Sequence, residues 1–313
     1  MTSVAIIGTG KIGGEVAFLL ARDEAADHIV MYDVNEKLAK AQSSDILDAS
    51  DSVAISFDKE QIRDSDICIY AAGLTRSPSI KTRKDLLGLN APIAKDCAQI
   101  CKEFDGIWIT VTNPVDVLNF YFATEHGDTS KFLGFGCQVD TARLRRNLSC
   151  DVASVVIGEH GEHAVPILRK VVDSDYTANM DLLRNYSLEI LKNTPYDIIL
   201  GKGGTTFGPA HHICELVEHI LKSTSRTGFT FYSTGLPVEP VSIVKESYSE
   251  IVGADPEPRL LSIGTVATIN LNGARQTHFM DHITEWEMDR LIEAEKSIFR
   301  QMDDLYTILE RHK

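Results

Sequence analysis

The hexapeptide Gly8-Thr9-Gly10-Lys11-Ile12-Gly13, set directly behind the apolar run Val4-Ala5-Ile6-Ile7, constrains this chain more than any other feature. A GxGxxG is a weak signal alone; between a strand and the start of a helix it becomes a dinucleotide fingerprint. Gly8 permits a tight turn, Gly10 lets backbone approach a pyrophosphate, and Gly13 allows helix and strand to touch while the helix N-terminus faces the anion. Thr9, Lys11 and Ile12 complete the loop. Asp33 ends the next apolar segment 20 residues after Gly13, where a carboxylate accepts hydrogen bonds from ribose hydroxyls and repels a 2′-phosphate. NAD is therefore the expected cofactor ahead of NADP, although an acidic residue there does not exclude dual use. The bland alternative is a glycine turn beside a surface Asp.

From the N-terminus to Val139, short β-branched runs alternate with helical patterns, as in a parallel sheet wrapped by helices. Val4–Ile7, His28–Tyr32, Val53–Phe57, Ile67–Ala71, Ile107–Val111 and Phe132–Phe135 read as six strands. Ile12, Val16, Leu19 and Leu20 give the first helix a sheet-facing side. Past Asp140 the segments lengthen, with a helical pattern at Pro209–Leu221 and strand-like stretches at Phe229–Ser233 and Leu260–Leu271, and a terminal amphipathic helix follows from about Ile283 to His312. The expected fold is α/β: an N-terminal doubly wound parallel (Rossmann) sheet over 1–139 and a C-terminal mixed α/β substrate domain over 140–313.

A length of 313 residues, 43% apolar and 24% charged, suits an ordered enzyme-like body. A net charge of -14 argues against nucleic-acid partners, which need a basic face. The same acidity repels anionic substrates, so a site for them must be built from locally placed arginines. The start of the chain lacks the pattern of a secretory signal, and no apolar run is long enough to span a bilayer, so a cytoplasmic location is expected. The six cysteines, at 68, 97, 101, 137, 150 and 214, show no CxxC pairing and read as buried thiols.

Four further segments follow the fingerprint in order: Ala72-Gly73-Leu74-Thr75-Arg76-Ser77-Pro78 through Arg83, Val111-Thr112-Asn113-Pro114, Asp140-Thr141-Ala142-Arg143, and Ile157-Gly158-Glu159-His160-Gly161. Together they resemble the L-lactate/malate dehydrogenase family over nearly the whole chain. Reduction of a 2-oxo acid needs a hydride donor, a proton donor and a clamp on the carboxylate. The resemblance implies that His160 is the general acid/base. It implies that Asp140 orients His160 and stabilises its protonated form, and that Arg143 grips the substrate's C1 carboxylate through two parallel hydrogen bonds. Taken alone, Asp140 and Arg143 are an i,i+3 pair, which on a helix surface is functionally mute. Asn113 is placed by the resemblance against both ligands, with the Val111, Thr112 and Asn113 backbone touching the nicotinamide half and the Asn113-Pro114 bond cis; a plain turn is the alternative.

Leu74 to Thr82 reads as a loop and resembles the family's closing lid, with a helix beginning near Lys84. Arg83 would swing in to polarise the substrate carbonyl. Asn90 matches a family position near the cofactor. The resemblance puts Arg76 at the lid position that selects substrate, where a guanidinium pairs with the second carboxylate of a dicarboxylate. The implied reaction is reversible hydride transfer between L-malate/oxaloacetate and NAD(H), as in the tricarboxylic acid cycle. Arg76 and Arg83 are seven apart, however, one more than the family's usual spacing, and Ser79 stands for a common glycine. If the register puts Ser77 at the selecting position, lactate or another 2-hydroxy acid fits, with Lys81 supplying charge. Thr205 is expected to line the pocket, and Ser242 to Ser247 replaces an expected Gly-rich hairpin turn. The resemblance also implies a homo-oligomer, a tetramer ahead of a dimer.

Other chemistries fare worse. No HExxH and no third donor beside His211-His212 supports a metal site, so none is expected. None of the nine tyrosines has a lysine four residues later, against a short-chain dehydrogenase. A non-catalytic NAD-binding module has no need of His160, Asp140, Arg143 and Arg83 together.

Overall fold

Four consecutive apolar residues cannot alternate inward and outward, so Val4 to Ile7 suit a strand covered on both faces. In the computed structural model they lie in β1 (Ser3–Ile7) and are completely buried. The structure describes residues 1–75, 80, 83–148, 152–170, 179–223, 231–239, 260–277 and 282–311. β1 pairs in parallel with β2 (His28–Tyr32) and β4 (Ile67–Tyr70), with β3 (Ala54–Ser56) beyond β2 and β5 (Ile107–Thr110) and β6 (Phe132–Gly134) beyond β4. All six expected strands are present, β3 shortened to three residues at the sheet edge. Crossover helices α1 (Lys11–Arg22), α2 (Glu36–Leu47), α3 (Arg83–Glu103) and α4 (Val115–His126) link them, and α5 (Cys137–Asn147) follows β6. Val16 and Leu20 of α1 are fully buried, while Ile12 and Leu19 pack partly against the same core.

The later part of the chain adds β7 (Val152–Gly158), β8 (Ala164–Lys170), α6 (Met180–Lys202), α7 (Phe207–Lys222), β9 (Phe231–Val238), β10 (Leu261–Asn270), β11 (Gly273–Gln276) and α8 (Glu285–Arg311). Here the pairing is antiparallel, β9 with β10, β10 with β11 and β7 with β8. β9 continues to Val238, five residues past the expected end; its expected first residues, 229–230, lie outside the described residues. The 23-residue helix α6 has no counterpart in the sequence reading, since Pro195 interrupts its pattern. The segment from Ser242 to Ser247 also lies outside the described residues.

Among the described residues all strands form one sheet, ordered β3-β2-β1-β4-β5-β6-β9-β10-β7-β8 with β11 on β10. Two seams are single glycine pairs: Gly134 opposite Gly235, where the parallel part meets the antiparallel part, and Gly158 opposite Gly264, where β10 meets β7 within the antiparallel part. The backbones run close there. A β-carbon on Gly264 would sit 2.3 Å from Cys137 Sγ and 2.7 Å from the Gly158 carbonyl oxygen; one on Gly235 would sit 3.1 Å from Gly134 Cα. α8 packs on β7, β8, β10, α3 and α4. No described helix is long and apolar enough to cross a membrane. Cys68, Cys97, Cys101, Cys137 and Cys214 are buried free thiols, and Cys150 lies outside the described residues.

Candidate active site

The fingerprint loop leaves the carboxyl end of β1 and opens α1. Gly8 has φ +90°, a conformation that strains any side chain, and a β-carbon there would lie 2.4 Å from Ala72 Cα. At Gly13 a β-carbon would lie 1.9 Å from the Gly8 carbonyl oxygen. Gly10 differs: a β-carbon would meet no protein atom within 4 Å, and no side chain caps the N-terminus of α1 that Gly10 begins. Two closed glycines and one facing open space, at an uncapped helix N-terminus, fit a dinucleotide's pyrophosphate. Thr9 is buried and turned toward Asp33, whose Oδ2 accepts the Thr9 backbone N–H at 2.8 Å and the Thr9 hydroxyl at 3.3 Å. Asp33 Oδ1 accepts the N–H of Asn35 at 2.9 Å. Its lone pairs are not exhausted by these bonds, so it can still meet ribose hydroxyls. Lys11 is exposed and Ile12 half-buried.

Two parallel strands away, Val111 and Thr112 leave β5 buried, and Asn113 follows, exposed, with a cis bond to Pro114. Asn90, on α3, is completely buried. Its amide donates to the carbonyls of Asn113 at 2.7 Å and Leu74 at 3.0 Å and accepts the N–H of Leu74 at 2.7 Å. Asn90 thus ties the Leu74 backbone to the Asn113 turn. Arg76, Ser77, Ser79 and Lys81 lie outside the described residues, as does the side chain of Arg83, whose backbone begins α3.

The third group comes together from β7 and α5. His160 Nδ1 lies 2.6 Å from Asp140 Oδ2, and Arg143 Nη1 donates to Asp140 Oδ1 at 2.7 Å. The side chains of Asp140 and Arg143 are only 5% and 10% exposed, so this i,i+3 pair is no surface salt bridge. Burial by itself would raise the Asp140 carboxyl; the charge and hydrogen bond of His160, then those of Arg143, overcome it and hold the group below the usual carboxylate range. Asp140 is therefore an ionised acceptor, and His160 Nδ1 carries the shared hydrogen. Thr205 is half-buried in the turn between α6 and α7.

Three supports escaped the sequence reading. Asp116, 3% exposed, accepts the backbone N–H of His160 at 2.9 Å; a carboxylate within the buried, mostly apolar stretch Val115–Ala123 of α4 was its signal. Glu159, 1% exposed, accepts the N–H of His163 at 3.2 Å. Gly136, between β6 and α5, faces the His160 ring. The sequence reading also found no third donor beside His211-His212, but one helical turn brings Glu215 to them, its Oε2 2.6 Å from His212 Nδ1 and 3.6 Å from His211 Nε2. His211 and Glu215 are exposed, so the cluster lies at the surface.

Residues 2–134 match the family model of the lactate/malate dehydrogenase NAD binding domain. A malate dehydrogenase of Halobacterium salinarum is 30% identical over 97% of this chain and 100% of its own length. L-lactate dehydrogenase 2 of Enterococcus faecalis is 32% identical over 70% of this chain and 77% of its own. The solved structure of a malate dehydrogenase from Archaeoglobus fulgidus in complex with NADH shares the fold, with a TM-score of 0.78 at 24% identity, covering 97% of this chain and 99% of that one. Fold, fingerprint and the imidazole–carboxylate–guanidinium group define an NAD-dependent dehydrogenase of 2-hydroxy acids. The chain belongs to the lactate/malate dehydrogenase family.

Proposed function

We propose that the chain interconverts L-malate and oxaloacetate with NAD(H), using His160 as proton donor and acceptor. The observation that carries this reading is the buried set His160, Asp140 and Arg143. Bound NADH supplies a hydride to the substrate's carbonyl carbon. His160, with Nδ1 committed to Asp140, exchanges its proton with the substrate oxygen at Nε2. Asp140, ionised, fixes the ring through its contact with Nδ1. Arg143 uses one edge of its guanidinium on Asp140 and offers further N–H groups to the C1 carboxylate. Arg83 polarises the carbonyl as the lid excludes water. Arg76 pairs with the second carboxylate, so oxaloacetate is favoured and pyruvate leaves that charge unpaired. Asn113 contacts the substrate, while Asn90 acts on both ligand segments through Leu74 and Asn113.

The name of the Halobacterium relative supports malate. A second reading, lactate, has its own support in the Enterococcus relative and in the seven-residue spacing of Arg76 and Arg83. We further read 1–139 as the cofactor domain and 140–313 as the substrate domain, which the extent of the family match supports. A cytoplasmic homotetramer serving the tricarboxylic acid cycle completes the proposal. Purified protein with NADH should consume oxaloacetate much faster than pyruvate, followed by loss of cofactor absorbance, and Arg76→Gln should reverse that order. Turnover of neither acid sinks the reading, and faster turnover of pyruvate by the unmodified chain sinks the malate assignment alone.

A further inference from the structure

The turn that carries His160 is held from behind by α8. Glu159 is buried although it carries a carboxyl group. Its Oε1 accepts a hydrogen bond from Gln301 Nε2 at 2.7 Å, while its Oε2 closes the turn on the N–H of His163 at 3.2 Å. The same Gln301 nitrogen reaches Ser297 Oγ at 3.2 Å and the Ser297 carbonyl at 3.4 Å, so the amide is braced against its own helix. Gln301 Oε1, by contrast, is buried without a partner among the described residues. Gln301 is thus used at its donor end, against a buried carboxylate that needs donors to stay where it is. On the other side of the turn Asp116 holds the N–H of His160.

We propose that Gln301 is a positioning residue for the hydride-transfer reaction: through Glu159 it fixes the 159–163 turn and hence the approach of His160 to Asp140. The proposal rests on the reading of His160 as proton donor. Removing the amide takes away the tie between α8 and the Glu159 carboxyl, and with it one of the bonds that hold the 159–163 turn in place. The contact between His160 Nδ1 and Asp140, 2.6 Å long, shifts with the turn. An amide is required rather than any polar group, since Gln301→Glu sets two carboxylates face to face.

The test uses Gln301→Met, which keeps length and bulk, Gln301→Glu, and the exchange Glu159→Gln/Gln301→Glu, which restores an amide–carboxylate pair in reverse. Q301M should lower kcat for 2-oxo acid reduction roughly tenfold or more, as small misplacements of a reacting group do, with NADH affinity within about twofold of wild type. Its pH profile of kcat/KM should move, and so should the titration of the His160 imidazole followed by nitrogen-15 NMR without ligands. Q301E should be worse, and the exchange should recover part of the loss. A Q301M profile and imidazole titration that overlay the wild type overturn the proposal even if its melting temperature falls, as does an exchange no better than Q301E. A wild-type enzyme inactive on both acids sinks the dehydrogenase reading instead, and the imidazole titration then still decides whether Gln301 acts on His160.

Discussion

A β-carbon placed on Gly136 would sit 2.3 Å from Cγ and 2.6 Å from Nδ1 of His160. The imidazole packs against bare backbone at the start of the helix that carries its partner, and the Gly136 carbonyl accepts the N–H of Asp140 at 3.1 Å. One residue therefore seats the ring and begins the turn that delivers the carboxylate. Gly136→Ala should displace the ring and lower kcat by about 100-fold, while NADH binding, followed by fluorescence titration, stays near wild type. Turnover close to wild type would contradict this seat.

The Asp140 carboxyl is lowered from its ordinary value of 3.8. A native value below the unfolded one means that the unfolded chain binds more protons as the solution turns acid. The stabilisation is fully present above the ordinary carboxylate range and is lost as pH falls through the native value. Denaturant midpoints measured at neutral pH and stepwise below pH ~4 should fall more steeply for wild type than for Asp140→Asn. Parallel curves for the two proteins would refute the sign.

Asp33 holds the Thr9 loop by two hydrogen bonds, and a carboxylate at the end of the second strand of such a unit disfavours a 2′-phosphate. Asp33→Ser should raise the ratio of kcat/KM for NADPH over NADH by roughly tenfold. The steady-state comparison of the two cofactors reads it directly, and an unchanged ratio would remove Asp33 from cofactor selection.

Asn90→Ala strips partners from the Leu74 N–H and carbonyl and from the Asn113 carbonyl. Leaving such backbone groups unsatisfied costs about 1–3 kcal/mol each when they stay buried. A clear drop in melting temperature should accompany a raised substrate KM, because both ligand-facing segments loosen together. Stability unchanged within error would show that water replaces the amide.

The parallel half of the fold was legible because its signals are local: β-branched runs, turn glycines and the spacing from Gly13 to Asp33 all act within one βαβ unit. His160, Asp140 and Arg143 were legible through motif resemblance, and their assembly at 2.6 and 2.7 Å is an outcome of tertiary packing. Gly136, Asp116, Glu159 and Gln301 were not read, because each acts across the fold on an atom that sequence spacing does not place nearby. Asn90 shows the intermediate case: resemblance singled it out as a cofactor neighbour, while the bonds its amide makes, to Leu74 and Asn113 backbone, could not be read from spacing. Helix α6 was missed because Pro195 breaks the pattern without breaking the helix.

The seams Gly134/Gly235 and Gly158/Gly264 carry no reacting atom, yet each sets how near two strands lie beside the site. A larger residue at 264 must push on Cys137, three positions before Asp140, or on the Gly158 backbone, two before His160, and one at 158 must push on His163 and Val165. A saturation scan of the gene should therefore trace a line of intolerance across the sheet through positions with no side chain at all. The outline of the catalytic cleft would emerge from tolerated spelling before any chemistry was assayed.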